Sequence, residues 1–182
     1  MSKTRKILEA MKNKLLPLTE KMVEEGNHVF GGLVLRADDC SVVAAGSNNR
    51  LENPIYHGEI DTIQRFFALK ERPAPEECIF VASHAPCPMC ISAISWAGFR
   101  EIWALFGYEE VKDGFDMPVD MMMYREIFSS DGPTRQNRFF KMYDIRAEAE
   151  KEPDVQELKK LLEEIDERYA KMKVKEFEYP GI

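Results

Sequence analysis

Two short segments of this 182-residue chain carry side chains able to bind a metal or move protons: His57-Gly58-Glu59 and Pro86-Cys87-Pro88-Met89-Cys90. C-x-x-C spacing at a helix start places two sulfurs on one side of the first turn, within reach of a single ion. The unpaired N–H groups and dipole of the helix end favour the thiolate form there. An imidazole from His57, thirty residues upstream of Cys87, completes a set of one nitrogen and two sulfurs. Such ligands select zinc by their softness and its tetrahedral preference, and three of them leave a fourth position for water. That arithmetic belongs to a catalytic centre. Glu59, two residues from a ligand, can hang its carboxylate near the open position, take a proton from the water and deliver it elsewhere. Read separately, His57 and Glu59 are an ordinary helix start with a dipole-complementing acid. Cys87 and Cys90 are likewise an ordinary buried or redox pair, although Pro86 before the first cysteine does not suit a thioredoxin-like motif. Their joint occurrence carries the reading.

The elements that must hold these groups are legible in the residue pattern. Residues 3–25 have helical apolar spacing, with Pro17 expected to bend or break the run. Residues 29–36 and 41–45 are β-rich and joined by a turn at Ala37-Asp38-Asp39-Cys40, and an Asn/Pro-rich loop follows. Helical spacing resumes over 57–71 and ends before Pro73 and Pro75; 78–83 is a short apolar strand. Residues 88–97 form a helix stopped by Gly98, then come a strand at 101–106, a helix at 119–128 and a weaker strand at 139–145. Residues 154–172 give the cleanest amphipathic helix. This order predicts an α/β fold, a three-layer α/β/α sandwich with a central mixed sheet of about five strands. One domain is expected over 1–182, with its core at about 28–128, an N-terminal helix at 3–25 and a helical extension at 147–182.

In residue type, spacing and element order, about residues 28–128 resemble the cytidine deaminase superfamily, the zinc-dependent base and nucleoside deaminases, whose signature is H-x-E followed by P-C-x-x-C. The resemblance implies hydrolytic deamination of a small amino-substituted ring, a free base or nucleoside of guanine or cytosine type, with release of ammonia. It implies one zinc per chain held by His57, Cys87 and Cys90, with Glu59 as the proton shuttle. It also implies that Asn48, in Gly46-Ser47-Asn48, bonds the ring, that the Gly58 N–H faces a substrate carbonyl, and that Phe30 lines the pocket floor. His-Gly-Glu in place of His-Ala-Glu is similar to the fungal cytosine deaminases. Asp113-Gly114-Phe115-Asp116 resembles the Gly-Phe-Asp segment of bacterial guanine deaminases and plant guanosine deaminase, which makes Asp116 a candidate to meet a purine amino group. Ala85 departs from the pattern, since relatives often carry Glu or Ser there. A homodimer formed through helices beside the site is implied as well, and Phe177 and Tyr179 are placed to close the pocket or reach a neighbouring subunit.

Composition narrows the substrate. The net charge is −7, with 45% hydrophobic and 31% charged residues, an ordinary globular balance. Residues 26–130 carry 15 acidic and 8 basic residues, the opposite of what a polyanion surface requires. A tRNA adenosine deaminase would share the zinc site but asks for a basic rim, so a small ring is expected and a nucleic-acid polymer is not. A zinc-stabilised scaffold without activity would lack Glu59 or add a fourth protein ligand, and neither is seen. No apolar run reaches a membrane span, and the charges scattered through MSKTRKILEAMKNK leave no signal-peptide core, so a cytoplasmic location is expected. Four cysteines are too few and too uneven for a disulfide framework; Cys40 and Cys78 read as core or turn residues. His84 and His28 stand close to the site in sequence. His84 touches substrate, or else faces solvent or bonds backbone. His28 lies at the pocket mouth or caps the first strand. Trp96 and Trp103 read as core or interface, and Met121-Met122-Met123 as helix packing or a subunit contact.

Overall fold

The computed structural model describes residues 1–108, 110 and 119–172. The chain begins with α1 (Lys3–Ala10), capped by the Ser2 hydroxyl, which accepts from the Arg5 N–H at 3.3 Å. A π-helical turn at Met11–Leu15 leads directly into α2 (Leu16–Glu24). Pro17 therefore does not break the helix. It occupies the first turn of α2, and the wider turn ahead of it absorbs the irregularity. Strands β1 (Gly31–Arg36) and β2 (Val42–Ser47) form the expected hairpin, with Cys40 in the left-handed region at φ 61° in its turn. Then follow α3 (Gly58–Ala68), β3 (Cys78–His84), α4 (Pro88–Trp96), β4 (Glu101–Phe106), α5 (Val119–Phe128), β5 (Lys141–Asp144), α6 (Ile145–Ala149) and α7 (Val155–Lys171).

The five strands lie in the order β2-β1-β3-β4-β5. β1 is antiparallel to β2 and β3, whereas β3, β4 and β5 run parallel. Alternation along the strands sends side chains to two separate cores. Leu33, Leu35, Ile79, Val81, Trp103 and Leu105 join residues of α1, α2 and α7 on one face. Val34, Phe80, Ala82 and Ile102 join residues of α3, α4 and α5 on the other. Helices thus cover both faces of a mixed five-stranded sheet. Trp103 is core, but Trp96 is 92% exposed and belongs to neither core.

His84, at the end of β3, is fully enclosed rather than facing solvent or substrate. Its ring stacks on Phe106 at 4.7 Å, meets Tyr169 of α7 edge-on at 5.4 Å, and shares a 2.8 Å hydrogen bond between Nδ1 and Ser83 Oγ. Burial lowers its imidazole from 6.5 to about 3. Between those values the unfolded chain takes a proton that the folded chain refuses. The contribution of His84 to stability is therefore complete above pH 6.5 and lost as pH falls toward 3. Urea unfolding is expected to show a loss on the order of 2–3 kcal/mol from this residue between pH 7 and 4.5, with a flatter pH slope in His84→Leu. An unchanged slope in the variant would assign the acid sensitivity to other groups.

Candidate active site

Each chemical group sits where a connection enters a helix. His57 is the N-cap of α3 in extended geometry, φ −62° and ψ 159°. Cys87 is the N-cap of α4, φ −63° and ψ 170°, with its sulfur accepting the Cys90 N–H at 3.5 Å. Glu59 and Cys90 lie in the first turns of their helices and are buried, at 5% and 0% exposure. The two helix starts can approach because β1 passes directly under α3. A Cβ on Gly58 would stand 2.4 Å from the Phe30 carbonyl oxygen and 2.5 Å from Gly31 Cα. Only a residue without a side chain fits between them.

His57 Nδ1 lies 3.6 Å from both Cys87 Sγ and Cys90 Sγ, and the three atoms fall within 4.8 Å of one another. A tetrahedral zinc at about 2.1 Å from nitrogen and 2.3 Å from sulfur requires an N···S separation of about 3.6 Å. The donor set fits that ion in kind and spacing. The Cys90 thiol donates to Glu59 Oε2 at 3.4 Å, so the carboxyl group lies against the ligand cluster.

Burial pushes the Glu59 carboxyl up to about 7, and the neighbouring Cys87 sulfur adds to the rise. Burial opposes a charge on His57, but its hydrogen bond with Cys87 and the negative groups around it lift the imidazole to about 9. Hydrogen bonding from Cys90, and then from His57, holds Cys87 well below the ordinary thiol value. Burial and the adjacent Cys87 hold Cys90 well above it. The cluster stores protons that a bound metal displaces.

A cavity of about 430 Å³ opens over this cluster, a volume suited to a small molecule. His57, Glu59, Cys87, Asn48 and Phe30 all line it. Asn48 Oδ1 is occupied by the N–H groups of His28 and Arg50, both at 3.2 Å, which fixes the side chain within its loop. Cys90 lies beneath, within the ligand set. Gly58 does not line the cavity, because the close passage of β1 buries it at the start of α3. Asp116 lies outside the described residues, as do Phe177 and Tyr179. His28 lies at the cavity, whereas His84 does not: it supports Phe30 from below, with ring centroids 4.8 Å apart. Cys40 and Cys78 are buried as expected.

Asp120 is a lining residue that the sequence pattern did not single out, and Met123, read with Met121 and Met122 as helix packing or a subunit contact, lines the cavity as well. Asp120 stands in the first turn of α5, and burial, followed by the charges of Cys87 and Glu59, raises its carboxyl to about 7 against the opposing pull of His57. The signal was its place at the start of the helix that follows a parallel strand, because ligands in such sheets bind beyond the carboxyl ends of the strands.

Residues 5–106 match the family described as the cytidine and deoxycytidylate deaminase zinc-binding region. Among curated proteins, the chain is 30% identical over 101 residues to a guanine deaminase from Bacillus subtilis, covering 54% of this chain and 62% of that protein. It is 28% identical over 92 residues to a probable cytosine deaminase from Schizosaccharomyces pombe, covering 50% of this chain and 54% of that protein. The matched stretch thus spans less than two thirds of either relative. Among solved structures, the guanine deaminase from Bacillus subtilis superposes with a TM-score of 0.56 at 25% identity, over 71% of this chain and 80% of that one. A guanine deaminase from Nitrosomonas europaea superposes at 0.57 and 19% identity, over 89% and 84%, a likeness of fold.

Proposed function

Because the chain belongs to the cytidine and deoxycytidylate deaminase family, we propose that it is a zinc-dependent hydrolase that removes an amino group from a free nucleobase of guanine type. The observation that carries this reading is the Glu59 carboxyl group, held 3.4 Å from a ligand sulfur and facing a cavity of small-molecule size. His57, Cys87 and Cys90 would hold one zinc per chain, which when bound would supply a water activated near neutral pH. Glu59 carries one proton of the attacking water to a ring nitrogen and the second to the departing amino nitrogen, so amine and water become carbonyl and ammonia. Asn48, its oxygen engaged within the loop, has its amide nitrogen left for a ring acceptor. Phe30, braced from below by His84, supplies an apolar floor.

Asp120 favours the guanine type. A carboxylate in the cavity accepts hydrogen bonds from N–H donors beyond the amino group that is lost, and a guanine ring presents them. Asp120→Asn is expected to lower kcat/KM for such a ring about 10–100-fold and to change little for a ring that presents no N–H donor beside the amino group that is lost. Equal losses on both rings would remove the specificity role. The acidic balance of residues 26–130 supports a small neutral ring over an RNA polymer. No helix among the described residues is long and apolar enough to cross a membrane, and a cytoplasmic homodimer is the expected state. Trp96, Ile127 and Phe128 offer exposed apolar surface for pairing.

An ammonia-release screen over guanine, cytosine, adenine and their nucleosides tests the proposal. Release from guanine by zinc-loaded protein is expected. Release from cytosine alone would move the reading to the cytosine type, and no release from any ring would favour a non-catalytic scaffold.

A further inference from the structure

The Pro86 carbonyl, immediately before Cys87, accepts two phenols. Tyr108 donates to it at 2.8 Å and Tyr124 at 3.3 Å, and the two hydroxyl oxygens are themselves 3.3 Å apart. The tyrosines come from different places: Tyr108 follows β4 by two residues, and Tyr124 is the one buried residue of α5. Their rings meet edge-on at 5.7 Å. Both hydroxyls are held protonated by burial and so act as donors.

The Pro86 carbonyl shares one rigid peptide plane with the Cys87 N–H, so two bonds to its oxygen fix the orientation of that plane. The orientation of the Pro86–Cys87 peptide sets the extended geometry of Cys87, and with it the direction of Sγ. On the other side, Tyr124 lies one turn beyond Asp120, and Met123 precedes it. The same bond that steadies the sulfur therefore docks the helix that brings Asp120 and Met123 to the cavity.

We propose that Tyr108 and Tyr124 are positioning residues of the metal centre, fixing the Pro86–Cys87 peptide and locking α5 to the loop that presents Cys87. The assignment rests on the zinc reading above. Hydrogen-bonding partners one step removed from a metal ligand typically govern affinity by 10–100-fold. The shorter bond makes Tyr108 the stronger of the two.

The test is the zinc dissociation constant of Tyr108→Phe, Tyr124→Phe and the double variant, measured by chelator competition. Each change removes a hydroxyl and keeps the ring. The double variant is expected to bind zinc about 10–100-fold more weakly, with the Tyr108 change costing more than the Tyr124 change, while metal-free protein keeps its thermal midpoint. Tyr169→Phe, a buried phenol of α7, serves as control and leaves the constant unmoved. A double variant within threefold of wild type overturns the proposal, as does a fall in metal-free stability with unchanged zinc affinity. Wild-type protein that binds no zinc would instead overturn the zinc reading itself.

Discussion

Glu59→Gln is expected to reduce kcat for ammonia release about 10³-fold or more while zinc content stays near one per chain. The substitution keeps the shape of a side chain that is 5% exposed and removes only its capacity to carry a proton. Glu59 is not among the three metal-ligating atoms, so metal and activity separate in this variant as they do in no ligand variant. A 10³-fold loss corresponds to about 4 kcal/mol of barrier, the scale of one positioned acid–base group. Steady-state ammonia release together with metal analysis on the same sample decides it. Activity within tenfold of wild type would transfer proton transport to another group, and Asp120 is the carboxyl group that shares the cavity.

A larger structural effect is expected from Gly58→Ala. The added methyl meets backbone on three sides, the Phe30 oxygen at 2.4 Å, Gly31 Cα at 2.5 Å and Gly31 N at 2.7 Å, and backbone cannot step aside as a flexible side chain does. Either β1 leaves its register with β3, or the start of α3 moves away. Overpacking of this kind costs about 3 kcal/mol or more. Whatever folded protein remains has His57 and Glu59 displaced together, because they flank the substituted residue. A shift of about 1 Å in such groups costs about 100-fold in rate. Urea denaturation and zinc content should fall together. A variant with wild-type stability and metal would mean that β1 and α3 are less tightly apposed than these distances state.

Glycine in this His-x-Glu motif thus has a local cause, and it marks where sequence reasoning succeeded and where it stopped. The grouping of His57, Cys87 and Cys90 was legible because C-x-x-C spacing and a histidine at a helix start are local patterns, and both segments do start helices. The strands were legible for the same reason: the unbroken apolar runs in CIFVAS and EIWALF follow from a sheet covered on both faces. Asp120 was harder to read, since its one signal, a helix start beyond a parallel strand, does not by itself point to a cavity formed with α3, α4 and the loop after β2. Asp116, expected by likeness of motif, lies outside the described residues. His84 misled for a related reason. Next to the ligand loop in sequence, it turns away from the cavity because β3 alternates, and Phe106 and Tyr169 then enclose it. Of the two readings of Trp96, core or interface, the core one fails, because the second core closes over Ile91 and Ile94 on the other side of α4.

The ion pairs that fasten α7 were also beyond reach of local pattern. Arg5 meets Asp154 and Glu157, Lys12 meets Glu164, and Arg168 makes a fork onto Glu20 with bonds of 2.6 and 2.7 Å. These partners lie about 150 residues apart in the chain, as the separation of 148 between Arg168 and Glu20 illustrates. During synthesis α1 and α2 leave the ribosome first, yet the helix that neutralises their charges and covers Leu8 and Leu15 arrives only after the whole sheet. Their apolar face must wait through that interval against an incomplete core. Refolding of the intact chain should accordingly be slow and strongly dependent on late, long-range contact. The segment made first is the last to be finished.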